Sequence, residues 1–268
     1  MNRKAIISVC IAIPFLFSCQ ANGNIKNDQS KQLSESEPLN QPSNKDVEKE
    51  DNKEVTIDRK NITKTETVEG KTVIQNPNNV LILVNKQLHL PEDYKPTDLV
   101  RPKVPFSFGD QDIEKSYLRK IAAEHLEKMF KQAKNDGIEI FAVSGYRSYN
   151  RQVQVFQNQV AKSGEETALT LVAVPGQSEH QTGLAMDISA KSVGFDLVEE
   201  FENTVEGQWL SNNAYKFGFI LRYPKGKEDV TGYSYEPWHF RYVGKEIAKI
   251  IYENNWTLEE YFAESKGI

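Results

Sequence analysis

Two stretches of the chain carry residue types that suit metal chemistry. The first is Ser178-x-His180-x-x-Gly183-x-Ala185-x-Asp187; the second is Glu236-Pro237-Trp238-His239. Together they supply two imidazoles, a carboxylate, and a spare carboxylate just before the second imidazole. His180, Asp187 and His239 make a two-histidine, one-carboxylate set, borderline-soft enough for zinc. A catalytic zinc needs three protein ligands and an open fourth position for a water, whose pKa it lowers to ~7. Glu236 is then a general base, taking the water's proton and passing it to a leaving amine. Positions i and i+3 face opposite sides of a straight strand, so Pro237 must sit at a bend if Glu236 and His239 are to reach one site. Taken singly, Glu236 reads as a surface carboxylate and His239 as a packed strand histidine; beside His180 and Asp187, the metal reading is preferred. Non-haem iron accepts the same donor types. Its first ligands, however, usually form a closely spaced pair, and the extra glutamate favours hydrolysis over oxygen chemistry.

The rest of the chain offers few rivals. It has 268 residues and four histidines. His125 lies beside the apolar face of a predicted helix and His89 in a proline-flanked loop, and both read as structural. The two cysteines, Cys10 and Cys19, both lie in an N-terminal apolar segment. Beyond that segment there is no thiol to serve as nucleophile, disulfide partner or zinc ligand. The net charge of −5, with no basic stripe interleaved with aromatics, gives no argument for nucleic acid.

The elements that must position these residues follow a leader and a polar stretch. Asn2-Arg3-Lys4 precedes the apolar run from Ala5 to Phe17, which falls short of the ~20 residues of a spanning helix and suits a secretory signal. Leu16-Phe17-Ser18-Cys19 resembles a bacterial lipobox. That resemblance implies a signal peptide over 1–19, a lipid on Cys19, and an exported protein anchored to the cell membrane and facing the cell wall. An ordinary cleaved signal is the plainer alternative. Residues 20–71 are dominated by Asn, Gln, Ser, Lys, Glu and Asp and read as a disordered tether. The folded domain is expected over 72–268, about two hundred residues, enough for one core.

Within it, Val80–Val84 reads as a buried strand or turn. Asp112–Asp136 reads as a long helix, with Asp112 as N-cap and Gly137 just past its end. Ile138–Val143 alternates as a strand, running through a turn into a helix that ends near Lys162. A short helix is expected over Thr167–Val172, a strand within Leu184–Ile188, a helix over Gln208–Phe217 and a strand over Phe219–Tyr223. A polar loop (Lys225–Tyr233), a strand (Trp238–Val243) and a helix (Gly244–Asn254) complete the pattern. Strands and helices mix without regular βαβ alternation, which favours an α+β fold with a small, largely antiparallel sheet.

Together with Ser144-Gly145-Tyr146-Arg147-Ser148, the two stretches resemble the zinc D,D-carboxypeptidases of the VanY type, and within that family the LdcB-like L,D-carboxypeptidases. The likeness spans roughly Asn76 to Ile268 and rests on three separated motifs in the right order. It implies a small α+β domain with one zinc on its central sheet, His180, Asp187 and His239 as ligands and Glu236 as catalytic base. It implies that Arg147 binds the substrate's carboxyl end or its polarised carbonyl, a task suited to a permanently charged bidentate fork. Gln152 and Ser178 match substrate-contacting positions. Trp238 reads equally as pocket wall or core aromatic. The implied activity is removal of the terminal D-alanine from peptidoglycan stem peptides by D,D-cleavage. Two alternatives remain: L,D-cleavage of tetrapeptides, and a zinc-stabilised module that binds wall peptide without turnover.

Overall fold

The computed structural model describes residues 55–267. The expected signal peptide, Cys19 and most of the expected tether lie outside those residues. The described residues all fall in one compact unit. Order therefore reaches further toward the N-terminus than Thr72. Strand β1 (Thr56–Ile57) and β2 (Thr65–Val68) both precede that residue. β2 pairs with β3 (Lys71–Ile74), and β3 pairs with β4 (Leu88–His89). The polar composition of 55–71 hid these strands because β2 is exposed throughout and only Ile57 of β1 is buried. What orders the segment is pairing with distant chain, which composition does not register.

A second correction concerns the first long helix. The segment from Asp112 is not helical up to Lys120. It holds a 3-10 turn (Glu114–Ser116) and then β6 (Leu118–Arg119), which pairs with β5 (Leu99–Val100). The Lys115 and Tyr117 carbonyls are taken by the Gly145 and Tyr146 N–H groups, so they cannot serve a helix. Helix α1 (Lys120–Asn135) then buries Ala122, Leu126, Met129 and Ala133 on one face, as the periodicity predicts.

The central sheet has four strands, β7 (Phe141–Ser144), β8 (Ala185–Ser189), β9 (Phe219–Leu221) and β10 (His239–Tyr242), in the order β7-β8-β10-β9. All three pairings are antiparallel. The small antiparallel sheet of an α+β fold is thus present, with helices around it. Side chains alternate across the sheet. Met186, Ile188, Phe240 and Tyr242 join Leu126 and Met129 of α1 in the main core. Asp187 and His239 point to the opposite face and sit directly across from each other in the β8–β10 register.

Helices α2 (Tyr149–Ser163) and α3 (Glu165–Leu171) follow β7, and α4 (Val205–Asn213) precedes β9. A single helical turn, α5 (Glu228–Thr231), interrupts the expected polar loop. α6 (Lys245–Asn254) and α7 (Leu258–Glu264) pack on a second cluster containing Ile220, Val243, Ile251, Leu258 and Tyr261. The C-terminal β11 (Lys266–Gly267) pairs parallel with β1. Val80–Val84 is a buried turn, its Val80 and Ile82 carbonyls both accepting from Arg241. Among the described residues no helix is long and apolar enough to cross a membrane.

Candidate metal centre and active site

Three local features bring the predicted ligands together. Asp187 and His239 are neighbours across β8 and β10. His180 is delivered by a 3-10 turn (Glu179–Thr182) that runs straight into β8. The link is Gly183, at φ 65°, where a Cβ would stand 2.9 Å from Leu99 Cδ2. Only glycine meets both the left-handed backbone and the close approach. One donor atom from each of His180, Asp187 and His239 then lies within 4.8 Å of the others, and all three residues are buried.

The hydrogen bonds fix which nitrogens are free. His180 Nδ1 faces the Gly145 carbonyl at 2.7 Å, so it carries the proton and leaves Nε2 bare, 3.4 Å from Asp187 Oδ2. His239 Nε2 faces the Glu179 carboxylate at 3.4 Å, and its Nδ1 lies 3.1 Å from Asp187 Oδ1. Asp187 Oδ1 is buried and no hydrogen bond satisfies it. The bare Nε2 of His180 and the Nδ1 of His239, which a metal would hold in place of a proton, flank an unsatisfied buried carboxylate oxygen, and this donor set suits zinc.

Burial opposes ionisation of Asp187, but His180 and His239 outweigh it and hold the carboxyl well below the usual range. Burial also acts to lower His239, yet the Asp187 and Glu179 carboxylates beside its two ring nitrogens push it up to about 9. The same negative surroundings would hold a metal cation. His180 is shifted downward by desolvation, against the pull of Asp187.

Glu236 occupies the predicted bend. Its carbonyl accepts from the His239 N–H and its own N–H donates to the Tyr223 carbonyl, forming a tight turn around buried Pro237. Its Oε2 lies 3.7 Å from His239 Nδ1, on the metal side of the ring. Desolvation, with the nearby charges of Asp187 and Glu179, raises its pKa to about 7 against the opposing pull of His239 and Arg147. That value suits a group that must both take and give a proton at neutral pH.

A cavity of ≈ 230 Å³ opens over the cluster, with Arg147, Ser178, Glu236 and Trp238 on its walls. Arg147, Ser178 and Trp238 therefore stand where a substrate could touch them. Arg147 is held from behind: Nη1 donates to Gln152 Oε1 at 2.9 Å, and the backbone N–H donates to the His180 carbonyl. Gln152 is placed differently from its expected substrate contact. It is buried, and its Nε2 donates to the Ala173 carbonyl at 2.6 Å, so it braces Arg147 and does not line the cavity. His125 bonds the Phe217 carbonyl and His89 contacts Gln177, both away from the cluster, as expected.

Sequence reasoning missed Glu179, Arg222 and Arg241, which are all buried and mutually ion-paired beside His239. A signal existed. Arg222 and Arg241 each adjoin apolar strand residues (Phe219-Ile220-Leu221 and Phe240), where a charge is rarely buried unless paired. Tyr223 and Tyr233, also on the cavity wall, were not singled out either.

The sequence matches the family model for VanY, D-alanyl-D-alanine carboxypeptidase, over residues 115–245. YodJ of Bacillus subtilis (strain 168) is 55% identical over 217 residues, covering 81% of this chain and 79% of that one. The solved structure of the LdcB LD-carboxypeptidase is 55% identical, with a TM-score of 0.78, over 80% of this chain and 100% of the other. The vancomycin-resistance D,D-pentapeptidase VanY, solved with Zn(II), is 36% identical with a TM-score of 0.56, over 68% of this chain and 98% of that one. With its metal-ready cluster and cavity, the chain belongs to the VanY D-alanyl-D-alanine carboxypeptidase family, as a metallo-carboxypeptidase with one zinc site.

Proposed function

We propose that this chain removes the C-terminal D-alanine from peptidoglycan stem peptides, with L,D-cleavage of tetrapeptides as its preferred reaction. The observation that carries the chemistry is Glu236, poised 3.7 Å from His239 Nδ1 over the metal cluster and facing the cavity that Arg147 also lines. A pure binding module has no use for that base. In the proposed reaction the Arg147 guanidinium holds the substrate's terminal carboxylate, and Gln152 keeps the guanidinium in place. Zinc, when bound, polarises the scissile carbonyl and acidifies water at the site. Glu236 removes a proton from the water as its oxygen adds to the carbonyl carbon. It then returns the proton to the amide nitrogen as the C–N bond breaks. The products are free D-alanine and a peptide shortened by one residue.

The sequence led to D,D-cleavage as the first expectation, and the description of the VanY family supports it as the second reading. The tetrapeptide reading is favoured by 55% identity to the LdcB LD-carboxypeptidase along that chain's full length, against 36% to the D,D-pentapeptidase. Mass spectrometry of products from defined tetra- and pentapeptides, with and without chelator, tests both. Release of D-alanine from tetrapeptide alone fits the first reading, and from pentapeptide alone the second. Chelator-insensitive cleavage would sink both.

The leader supports a further part of the proposal: export and lipid anchoring through Cys19, which would set the enzyme at the membrane surface facing its substrate.

A further inference from the structure

Beside His239, running from the floor of the cavity toward the last helix, lies a chain of charges in which Glu179, Arg222 and Arg241 are fully buried and Glu259 is half-buried. Glu179 Oε2 faces His239 Nε2 at 3.4 Å. Its other oxygen, Oε1, accepts from Arg222 Nε at 2.8 Å and from Arg241 Nη1 at 2.5 Å. Arg222 is in turn clamped by Glu259 of α7, with Nη1 and Nη2 donating to the two carboxylate oxygens at 2.8 and 2.6 Å. Arg241 spends its remaining N–H groups on the Val80, Ile82 and Tyr242 carbonyls. Two carboxylates face two guanidiniums, so the charges of the network balance. None of these contacts involves the cavity-facing edge of His239.

We infer that Glu179 is a positioning residue for the zinc site, and that Glu259 on the C-terminal helix locks it there through Arg222. A carboxylate accepting from Nε2–H fixes the His239 tautomer and ring angle, leaving Nδ1 bare toward Asp187 and Glu236. Glu179 can do this only while its second oxygen is pinned, because a carboxylate free to rotate would offer the imidazole no fixed partner. The two arginines pin it, and Glu259 completes the fork of Arg222 from a helix that lies beyond the family-matched residues 115–245. The last helix is therefore part of the metal-binding unit in this chain.

The inference rests on the zinc reading of the cluster, and the test separates the two. Zn²⁺ affinity of the full metal-stripped protein is measured by chelator competition for the parent, Glu179→Gln and Glu259→Gln. The Co²⁺-substituted forms give a visible spectrum that reports ligand geometry. Each variant keeps the side-chain shape, and far-UV circular dichroism checks its fold. Glu179→Gln is expected to lose affinity on the order of 10-fold and to shift the cobalt bands. Glu259→Gln, at the rim of the network, is expected to show a smaller loss in the same direction. Parent-like affinity and cobalt spectrum in a folded Glu179→Gln would overturn the inference and leave the zinc site standing. Should Glu179→Gln fail to fold, parent-like values in Glu259→Gln alone would overturn it. A parent protein that binds neither ion would overturn both.

Discussion

Single side chains at this site are decided by what they face. Glu236 is the sharpest case. As the base, its loss should leave zinc bound and cut kcat by ~10²–10⁴, the range of general acid–base contributions. Glu236→Gln measured for metal content and turnover checks this, and a variant with parental kcat would remove Glu236 from the reaction. The same carboxyl makes a stability prediction for the metal-free protein. Its pKa is raised to about 7 from 4.5. Between those values the folded chain keeps a proton that the unfolded chain has released, so this group's contribution to stability falls as pH rises through the window. Metal-free Glu236→Gln should therefore gain in melting temperature relative to the parent between about pH 5 and about pH 8. Parallel pH profiles would contradict the shift. Arg147 depends on its planar fork, one nitrogen of which already holds Gln152. Arg147→Lys keeps the charge and loses the fork, which should raise KM for a free-carboxylate peptide by roughly tenfold or more, the cost of a charge-assisted hydrogen bond of ~1.5–3 kcal/mol. An unchanged KM would separate Arg147 from the substrate carboxylate.

At the scale of elements, the site is an exercise in register and turns. The β8–β10 pairing sets Asp187 across from His239, and slipping it by one residue would turn one of them into the core. Gly183 is the hinge that brings His180 to them. Gly183→Ala meets both a left-handed φ of 65° and a contact of 2.9 Å to Leu99 Cδ2. The expected cost is ~1–3 kcal/mol of stability, with weaker zinc binding because the ligand turn must shift. Denaturant unfolding with chelator competition measures both, and a neutral effect on each would mean the turn has slack. The body of α1 was legible from its apolar periodicity, and α2 and α6 lie close to where the flanking turn and glycine put them, whereas α7 was not foreseen. The start of α1 was not legible, because Lys115 and Tyr117 bond the loop at Gly145 and Tyr146, and Leu118 and Arg119 pair with β5, which overrides the local pattern.

For the whole molecule, the folded body is longer than composition suggests. Ile57 is buried in the cluster with Leu258 and Tyr261, and β1 closes on β11 near the far end of the chain. A protein beginning at Thr72 should therefore melt lower than one beginning at Asn52, by about 2–4 °C for each kcal/mol lost. Calorimetry of the two lengths checks this, and equal melting points would return 55–71 to the tether. The leader makes a separate prediction: Cys19→Ser should move the protein from the membrane fraction into the medium, as fractionation and immunoblotting would show. Unchanged membrane association would argue against lipid anchoring.

What the sequence determined by itself was the chemistry. His180, Asp187, His239 and Glu236 were readable as a candidate cluster because a chain with four histidines and no thiol after Cys19 leaves few ways to build a metal site, and because glycine and proline mark the bends such a site needs. The periodic helices and the antiparallel sheet were readable for the same local reason. Tertiary structure alone decided how the site is held. Gln152 turned out to brace Arg147, and Glu179 to back His239, because Gln152 is anchored on Ala173, 21 residues on, and Glu179 meets Arg222, His239 and Arg241, 43 to 62 residues on. A lone buried charge costs far more than a paired one. The pairing that makes Glu179, Arg222, Arg241 and Glu259 tolerable exists only once the strands and the last helix have come together.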